Sequence, residues 1–408
     1  MYAATSVQEV PGDGVRKVRL LFINSSEHLG ADGWVHQLLM RSLPRSQFEL
    51  HAAGQPPGHG VGSGRGFEAL QLIDGLALRP TDFGPTLFGH TSLAKLRAGA
   101  KGALPAAASM LGLVRYIRHH RIQILHASDR PRDALSCVVL AALTGTKTCI
   151  HIHVKFDTWM SRGQRWALAR ADRVVGVSDF VVHSLIRGGY RAERLRSVLN
   201  AIDPADWDPT LSPRPGRASL GVSQTTPLIV SVARIFSWKG HADLLRALAL
   251  VKREFDDVKL AIVGADYPEG TGETHKLKLL ARELGVSDNV LFTGERRDVA
   301  QLLAACDVFA LPSFEEPFGL VYAEAMAMKR PVLGLTNGGT PEVVQHGMSG
   351  LLSEPGDVAG LAHNIVALFR DPELRARMGE YGRRDVERRF NPERLARDFA
   401  QVYRQMLE

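Results

Sequence analysis

The chain has 408 residues, 45% hydrophobic and 23% charged, which predicts two or three domains and excludes disordered, collagen-like and coiled-coil classes. Three scattered cysteines, Cys137, Cys149 and Cys306, exclude a disulfide framework and a cysteine metal site and fit a reducing cytoplasm; the longest apolar run, 134–143, is about half the roughly 20 residues a membrane span needs. The net charge of +7 is uneven: residues 1–200 hold 25 Lys and Arg against 14 Asp and Glu, whereas 201–408 hold 25 against 29. The basic excess of the first half is open to two readings, a surface that meets phosphates, acidic ligands or anionic lipid, and an arginine-rich solvated face.

Taken in chain order, residues 1–17 carry acids and Pro11 without a charged-then-apolar pattern, so export is not expected. Val18–Asn24 is a short apolar run ended by polar residues and reads as a buried parallel strand. A helix is expected over 34–41, then strands over 48–52, 122–126, 148–153, 173–177 and 197–199 with helical patterns between several of them. Gly58, Gly60, Gly62, Gly64 and Gly66 alternate, but no G-x-G-x-x-G register fits and no P-loop occurs, so this stretch reads as a flexible loop. Residues 207–226, rich in Pro, Gly and Ser, read as a linker.

Beyond the linker the pattern restarts. Strands at 228–232, 259–263, 290–292, 308–311 and 331–334 alternate with helices at 242–255, 275–284, 299–304 and 319–328. A strand-free segment, 362–390, precedes a final helix over 392–407 that is expected to cross back to the first domain. The fold class is therefore α/β, with a first domain over 1–206 joined by the final helix 392–408 and a second over 207–391. Two such domains leave a cleft between the carboxyl ends of their sheets, where open α/β folds bind ligands.

Two segments border that cleft. In Leu311-Pro-Ser-Phe-Glu-Glu-Pro-Phe-Gly-Leu-Val-Tyr-Ala-Glu324 a strand ends, a turn carries Glu315 and Glu316, and a helix begins near Gly319. The free N–H groups of Phe318, Gly319 and Leu320 suit an anion, while Glu316 and Glu324 suit hydroxyls at different distances from it. In Ser231-Val-Ala-Arg-Ile-Phe-Ser-Trp-Lys-Gly-His241, Arg234 and Lys239 share one strand-to-helix loop and pair a planar fork with a point charge, fit to clamp a diphosphate.

With the Gly294-Glu295-Arg296-Arg297-Asp298-Val299 loop and the Gly338-Gly-Thr-Pro-Glu342 turn, these motifs resemble a retaining glycosyltransferase of family GT4, strongly over 227–356 and more weakly upstream. The resemblance implies the GT-B architecture of two Rossmann-like domains. It implies that Arg234 and Lys239 neutralise the leaving diphosphate of a sugar nucleotide, that Glu316 binds donor-sugar hydroxyls, and that Glu324 binds the ribose. The Gly294–Arg296 loop would border the nucleobase. The early glycine loop matches His28-Leu-Gly30-Ala-Asp-Gly33 without its usual glycine pair, which makes Gly30 the phosphate-contacting candidate.

The family's sugar-contacting histidine has two candidates in Cys149-Ile-His-Ile-His153. His153 is favoured because it falls at the strand's carboxyl end, whereas His151 alternates into the buried positions. A zinc site on this pair lacks a carboxylate or cysteine at ligand spacing, and the resemblance implies neither metal nor cofactor.

The expected activity is transfer of a hexose or N-acetylhexosamine from a nucleoside-diphosphate sugar, UDP- or GDP-linked, to a hydroxyl on a glycan, lipid-linked or small-molecule acceptor. Nucleic acid is not an expected partner, because the basic residues are not interleaved with aromatics. Arg115, Arg118 and Arg121 lie at i, i+3 and i+6 beside His119 and His120; they would form either a solvated helix face or a contact with anionic membrane, the protein otherwise being cytoplasmic. A sugar-nucleotide epimerase of the same architecture and a non-catalytic basic binding protein are the alternative readings.

Overall fold

The computed structural model describes residues 17–57, 65–84, 92–267 and 270–408. The expectation about the first 16 residues, and most of the glycine-loop expectation (58–64), lie outside the described residues. The first half runs β1 (Val18–Asn24), α1 (Ala31–Ser42), β2 (Phe48–Gly54), α2 (Arg65–Gln71), β3 (Leu76–Pro80), α3 (Ser92–His119), β4 (Ile124–Ser128), α4 (Pro131–Thr144), β5 (Lys147–Ile152), α5 (Arg162–Arg170), β6 (Arg173–Gly176), α6 (Asp179–Arg187) and β7 (Leu195–Ser197). These strands form one sheet in the order β3-β2-β1-β4-β5-β6-β7, parallel throughout.

The second half runs α7 (Pro213–Ser219), β8 (Leu228–Val232), α8 (His241–Val251), β9 (Lys259–Val263), α9 (Glu273–Glu283), β10 (Val290–Gly294), α10 (Val299–Ala305), β11 (Val308–Ala310), α11 (Leu320–Ala327), β12 (Val332–Leu335), α12 (Thr340–Val343), β13 (Gly350–Ser353), α13 (Val358–Arg370), α14 (Pro372–Arg389) and α15 (Pro392–Gln405). Its sheet is also parallel, in the order β10-β9-β8-β11-β12-β13. Each sheet reverses its strand order once, at β1/β4 and at β8/β11, and these switch points open crevices at the strands' carboxyl ends.

Several elements differ from the sequence expectation. Strand β3 is a half-exposed edge, Leu-Ala-Leu-Arg-Pro, with no continuous apolar run to announce it. Strand β13 has four residues and a glycine. The last strand of the first sheet sits at 195–197 and not 197–199, because Leu195, 4% exposed, takes the buried register opposite Val174. The expected linker contains α7, started by Ser212, whose side chain accepts from Arg214 N, and by Pro213. Arg217 of α7 pairs with Asp307 at 2.9 Å, which fastens the segment to the second domain.

Helix α15 returns to the first domain and packs on α1. Leu395, Phe399 and Tyr403, four residues apart, are fully buried there, each stabilising the docking by about 1.5–3 kcal/mol of apolar burial. Asn391 caps the helix by accepting from Arg394 N at 2.7 Å, and Arg394 donates to the carbonyls of Leu199 and Asn200. Among the described residues no helix is long and apolar enough to cross a membrane. On α3, Arg115 and Arg118 are exposed, but Arg121 lies past the helix end at φ 49°, off the face the spacing predicted.

Candidate active site

Between the two sheets lies a cavity of about 1010 Å³, lined from the first domain by Leu29, Ala31 and His153 and from the second by Arg234, Lys239, Glu316, Phe318–Leu320 and Glu324. The loop after β8 is held against β11 by Gly240, at φ 75°, where any Cβ would collide with the Pro312 carbonyl. That close approach sets the Lys239 Nζ 2.6 Å from Glu316 Oε2, which also accepts from the Ser313 hydroxyl at 2.7 Å. Both charges are largely buried, so the pair is a preformed, hydrogen-bonded ion pair and not two independent groups. Arg234 stands apart: its guanidinium lies 4.5 Å over the Tyr267 ring and 5.5 Å from Phe236, and it makes no ion pair among the described residues.

The turn carrying Glu316 is buttressed from behind. Gly339 N donates to the Glu316 carbonyl at 2.7 Å, and a Cβ at Gly338 or Gly339 would meet the backbone of 315–317. Gly319 begins α11 at φ 82°, and a side chain there would collide with Tyr322. Phe318 is buried on Phe390, and the Tyr322 hydroxyl donates to the Leu311 carbonyl at 2.6 Å, so the helix start is rigidly placed. The backbone N–H groups of Phe318, Gly319 and Leu320 find no acceptor among the described residues, which leaves them for an anion in the cleft. Glu324 stays partly open to the cavity, and burial raises its carboxyl to about 7.

On the opposite wall, His153 sits at the end of β5 with part of its surface in the cleft. Its backbone N donates to Asp129 Oδ1 at 3.1 Å. Burial depresses the His153 imidazole to about 4 and lifts Asp129 to about 7, so the ring is neutral at physiological pH. Gly30 forms the N-terminus of α1 but does not itself line the cavity, which Leu29 and Ala31 do. A Cβ there would crowd the Arg130–Asp32 ion pair, formed at 2.8 Å.

The Gly294–Arg296 loop does not reach this cavity. Gly294 turns the chain at φ 69°, Glu295 is exposed, and Arg296 is held by both oxygens of Asp298, at 2.8 and 2.6 Å, and by Ser219. The guanidinium fork is thus satisfied by a carboxylate two residues on.

Sequence reasoning missed the bridges between the domains. Lys155 and Glu315 pair across the cleft at 2.6 Å, the Ser178 hydroxyl donates to the Pro317 carbonyl at 2.6 Å, and the N–H groups of Asp179 and Phe180 at the start of α6 donate to the Glu342 carboxylate. Lys155 and Asp129 follow β5 and β4 directly, so the rule that sites gather at strand carboxyl ends would have found them.

Comparison with known proteins places this geometry. Residues 215–385 match the family model "Glycosyl transferases group 1" and residues 78–206 match "Glycosyltransferase Family 4". Among curated proteins, N-acetyl-alpha-D-glucosaminyl L-malate synthase of Bacillus anthracis is 34% identical over 60% of this chain and 62% of its own length. D-inositol 3-phosphate glycosyltransferase of Corynebacterium jeikeium is 35% identical over 52% of each chain. The chain thus spans rather more than half the length of the curated relatives it matches. Among solved structures, Alr3699/HepE of Anabaena in complex with UDP superposes with a TM-score of 0.77 at 22% identity, over 95% of this chain and 100% of that one, which establishes a shared two-domain fold.

Proposed function

The chain belongs to the GT4-like glycosyltransferases of GT-B architecture, and from that premise we propose that it transfers a hexose or N-acetylhexosamine from a nucleoside-diphosphate sugar to a hydroxyl acceptor with retention of anomeric configuration. The observation that carries this reading is the convergence of Arg234, the Lys239–Glu316 pair and the acceptor-free N–H groups of 318–320 on one cavity. Glycosyl transfer passes through an oxocarbenium-like state, and its main demand is stabilisation of the departing diphosphate. Arg234 and the start of α11 supply positive potential from fixed positions.

Lys239 arrives already paired. A phosphate oxygen competes with Glu316 for its ammonium, and the carboxylate thereby released accepts the hydroxyls of the donor sugar. The same pair therefore couples occupancy of the phosphate and sugar positions. His153, neutral with its imidazole at about 4, is a weak base near pH 7 and serves as a hydrogen-bond partner to sugar hydroxyls. The acceptor's proton then passes to the leaving phosphate on the face it vacates, with no protein nucleophile and no metal in the step. UDP is the favoured carrier, in keeping with the complex of the Anabaena protein and with the glucosaminyl product named for the Bacillus relative. Arg115 and Arg118 on α3 supply the surface at which anionic membrane or a phosphorylated acceptor would be met.

Incubation with a panel of sugar nucleotides tests the reading. A donor that raises Tm and is consumed only when an acceptor is present supports transfer; conversion of the donor alone identifies an epimerase.

A further inference from the structure

Beneath the first-domain wall of the cleft lies a group of histidines that the transfer reaction does not use. His36 comes from α1, His126 from β4 and His151 from β5, and all three are buried, at 7%, 0% and 0% exposure. One ring nitrogen from each lies within 4.8 Å of the others. We propose that His36, His126 and His151 form a binding site for one divalent transition-metal ion, zinc by ligand type.

The geometry carries the proposal. Imidazoles bind zinc tetrahedrally at about 2.0–2.1 Å, which sets neighbouring ligand nitrogens about 3.3 Å apart and ring centres about 5 Å apart. The Nε2 atoms of His36 and His126 are 3.3 Å apart. The three ring-centre separations are 4.7, 5.4 and 5.9 Å. A proton shared between His36 and His126 would account for the first distance, but it leaves His151 unexplained. Both ring nitrogens of His151 are buried with no hydrogen-bond partner among the described residues, a desolvation cost of the kind native structures rarely leave unmet. An ion meets that need and the His36–His126 approach together.

The outer shell is also of the expected type. The Nδ1 of His126 lies 2.8 Å from the Tyr403 hydroxyl, and such a bond on the second nitrogen fixes the orientation of a ligating ring. His153 lies beside the site, its Nε2 buried and without a partner among the described residues and its ring centre 5.4 Å from that of His36. His153 also gives the ion its path, since that residue borders the cleft. The ligands tie α1, β4 and β5 together and, through Tyr403, hold α15 to the first domain. The ion's role is to brace the cleft floor; the proposed transfer takes place outside this site.

Untagged protein grown with zinc should carry about one zinc per chain by mass spectrometry of the metal. Stripping with dipicolinate should lower Tm, and readdition of zinc should restore it. Cobalt(II) in its place should give the intense visible bands of tetrahedral coordination. His126→Asn and His151→Asn should abolish zinc content and cobalt absorption, whereas His120→Asn, in the separate outer cluster with Glu49 and His51, should retain both. Should the buried variants fail to fold, the cobalt spectrum and the zinc response of the wild-type Tm still decide. Protein that carries no stoichiometric metal, shows no Tm response to zinc and stays colourless with cobalt overturns the proposal, as does undiminished zinc in His151→Asn.

Discussion

Replacing Arg234 and Lys239 separately by alanine distinguishes the two halves of the phosphate clamp. By sequence alone the two residues are equivalent, and neither substitution is expected to affect folding. The structure separates them. Lys239 and Glu316 are paired at 2.6 Å with side chains 11% and 9% exposed, and removing one member of such a buried pair costs about 3–5 kcal/mol because the other charge is left uncompensated. The Ser313 hydroxyl still donates to Glu316, which puts Lys239→Ala near the lower end, about 3 kcal/mol. For a domain of this size that corresponds to a Tm lower by about 6–12 °C. Arg234 is exposed, and its partners among the described residues are rings, a contact worth about 0.5–1 kcal/mol at such a site, so Arg234→Ala should lower Tm by only about 1–4 °C. Both variants should lose about a hundredfold or more in kcat, the scale of one lost transition-state donor. Differential scanning fluorimetry with initial rates reads both quantities. The double variant Lys239→Met with Glu316→Met should recover stability without activity. A Lys239→Ala protein as stable as wild type, or an Arg234→Ala protein equally destabilised, would refute the reasoning.

Three further outcomes follow from the same geometry. Glu324 is raised from 4.5 to about 7, so between those values the folded chain holds a proton that the unfolded chain has released; stability relative to Glu324→Gln should rise as pH falls through that window and be lost above pH 7, and a Tm difference constant from pH 5 to 8 would contradict the assignment. The anomeric configuration of the product, read by proton NMR, should match that of the donor, and turnover should proceed without added divalent cation; inversion would remove the retaining mechanism. In flotation assays, binding to anionic but not neutral vesicles, weakened by salt, assigns the basic excess of residues 1–200 to membrane contact, whereas absence of binding together with efficient transfer to a small uncharged acceptor assigns it to a solvated face.

The sequence by itself determined what is local or periodic. Short apolar runs alternating with helical patterns specified two parallel-sheet domains, since only crossover helices join parallel strands. The placement of Glu316, Gly319, Arg234, Lys239 and His153 at the cavity was legible because each lies on the segment that follows a strand's carboxyl end, where the fold puts its crevice. Edge strand β3 and the short β13 were not, because neither carries the apolar run of a strand buried on both faces.

What only the tertiary structure decided is pairing between distant segments. Lys239 and Glu316 are 77 residues apart, and no spacing rule turns two candidate ligand-binding charges into one ion pair. Arg296 does not line the cavity, and its guanidinium is held instead by Asp298 and by Ser219 from an unexpected helix end. The sequence offered no metal-ligand partners near His151, and the fold brought His36 and His126 beside it from α1 and β4. Side-chain partners across a sheet or between domains depend on register and packing, and those are fixed only when the whole chain has closed its cores.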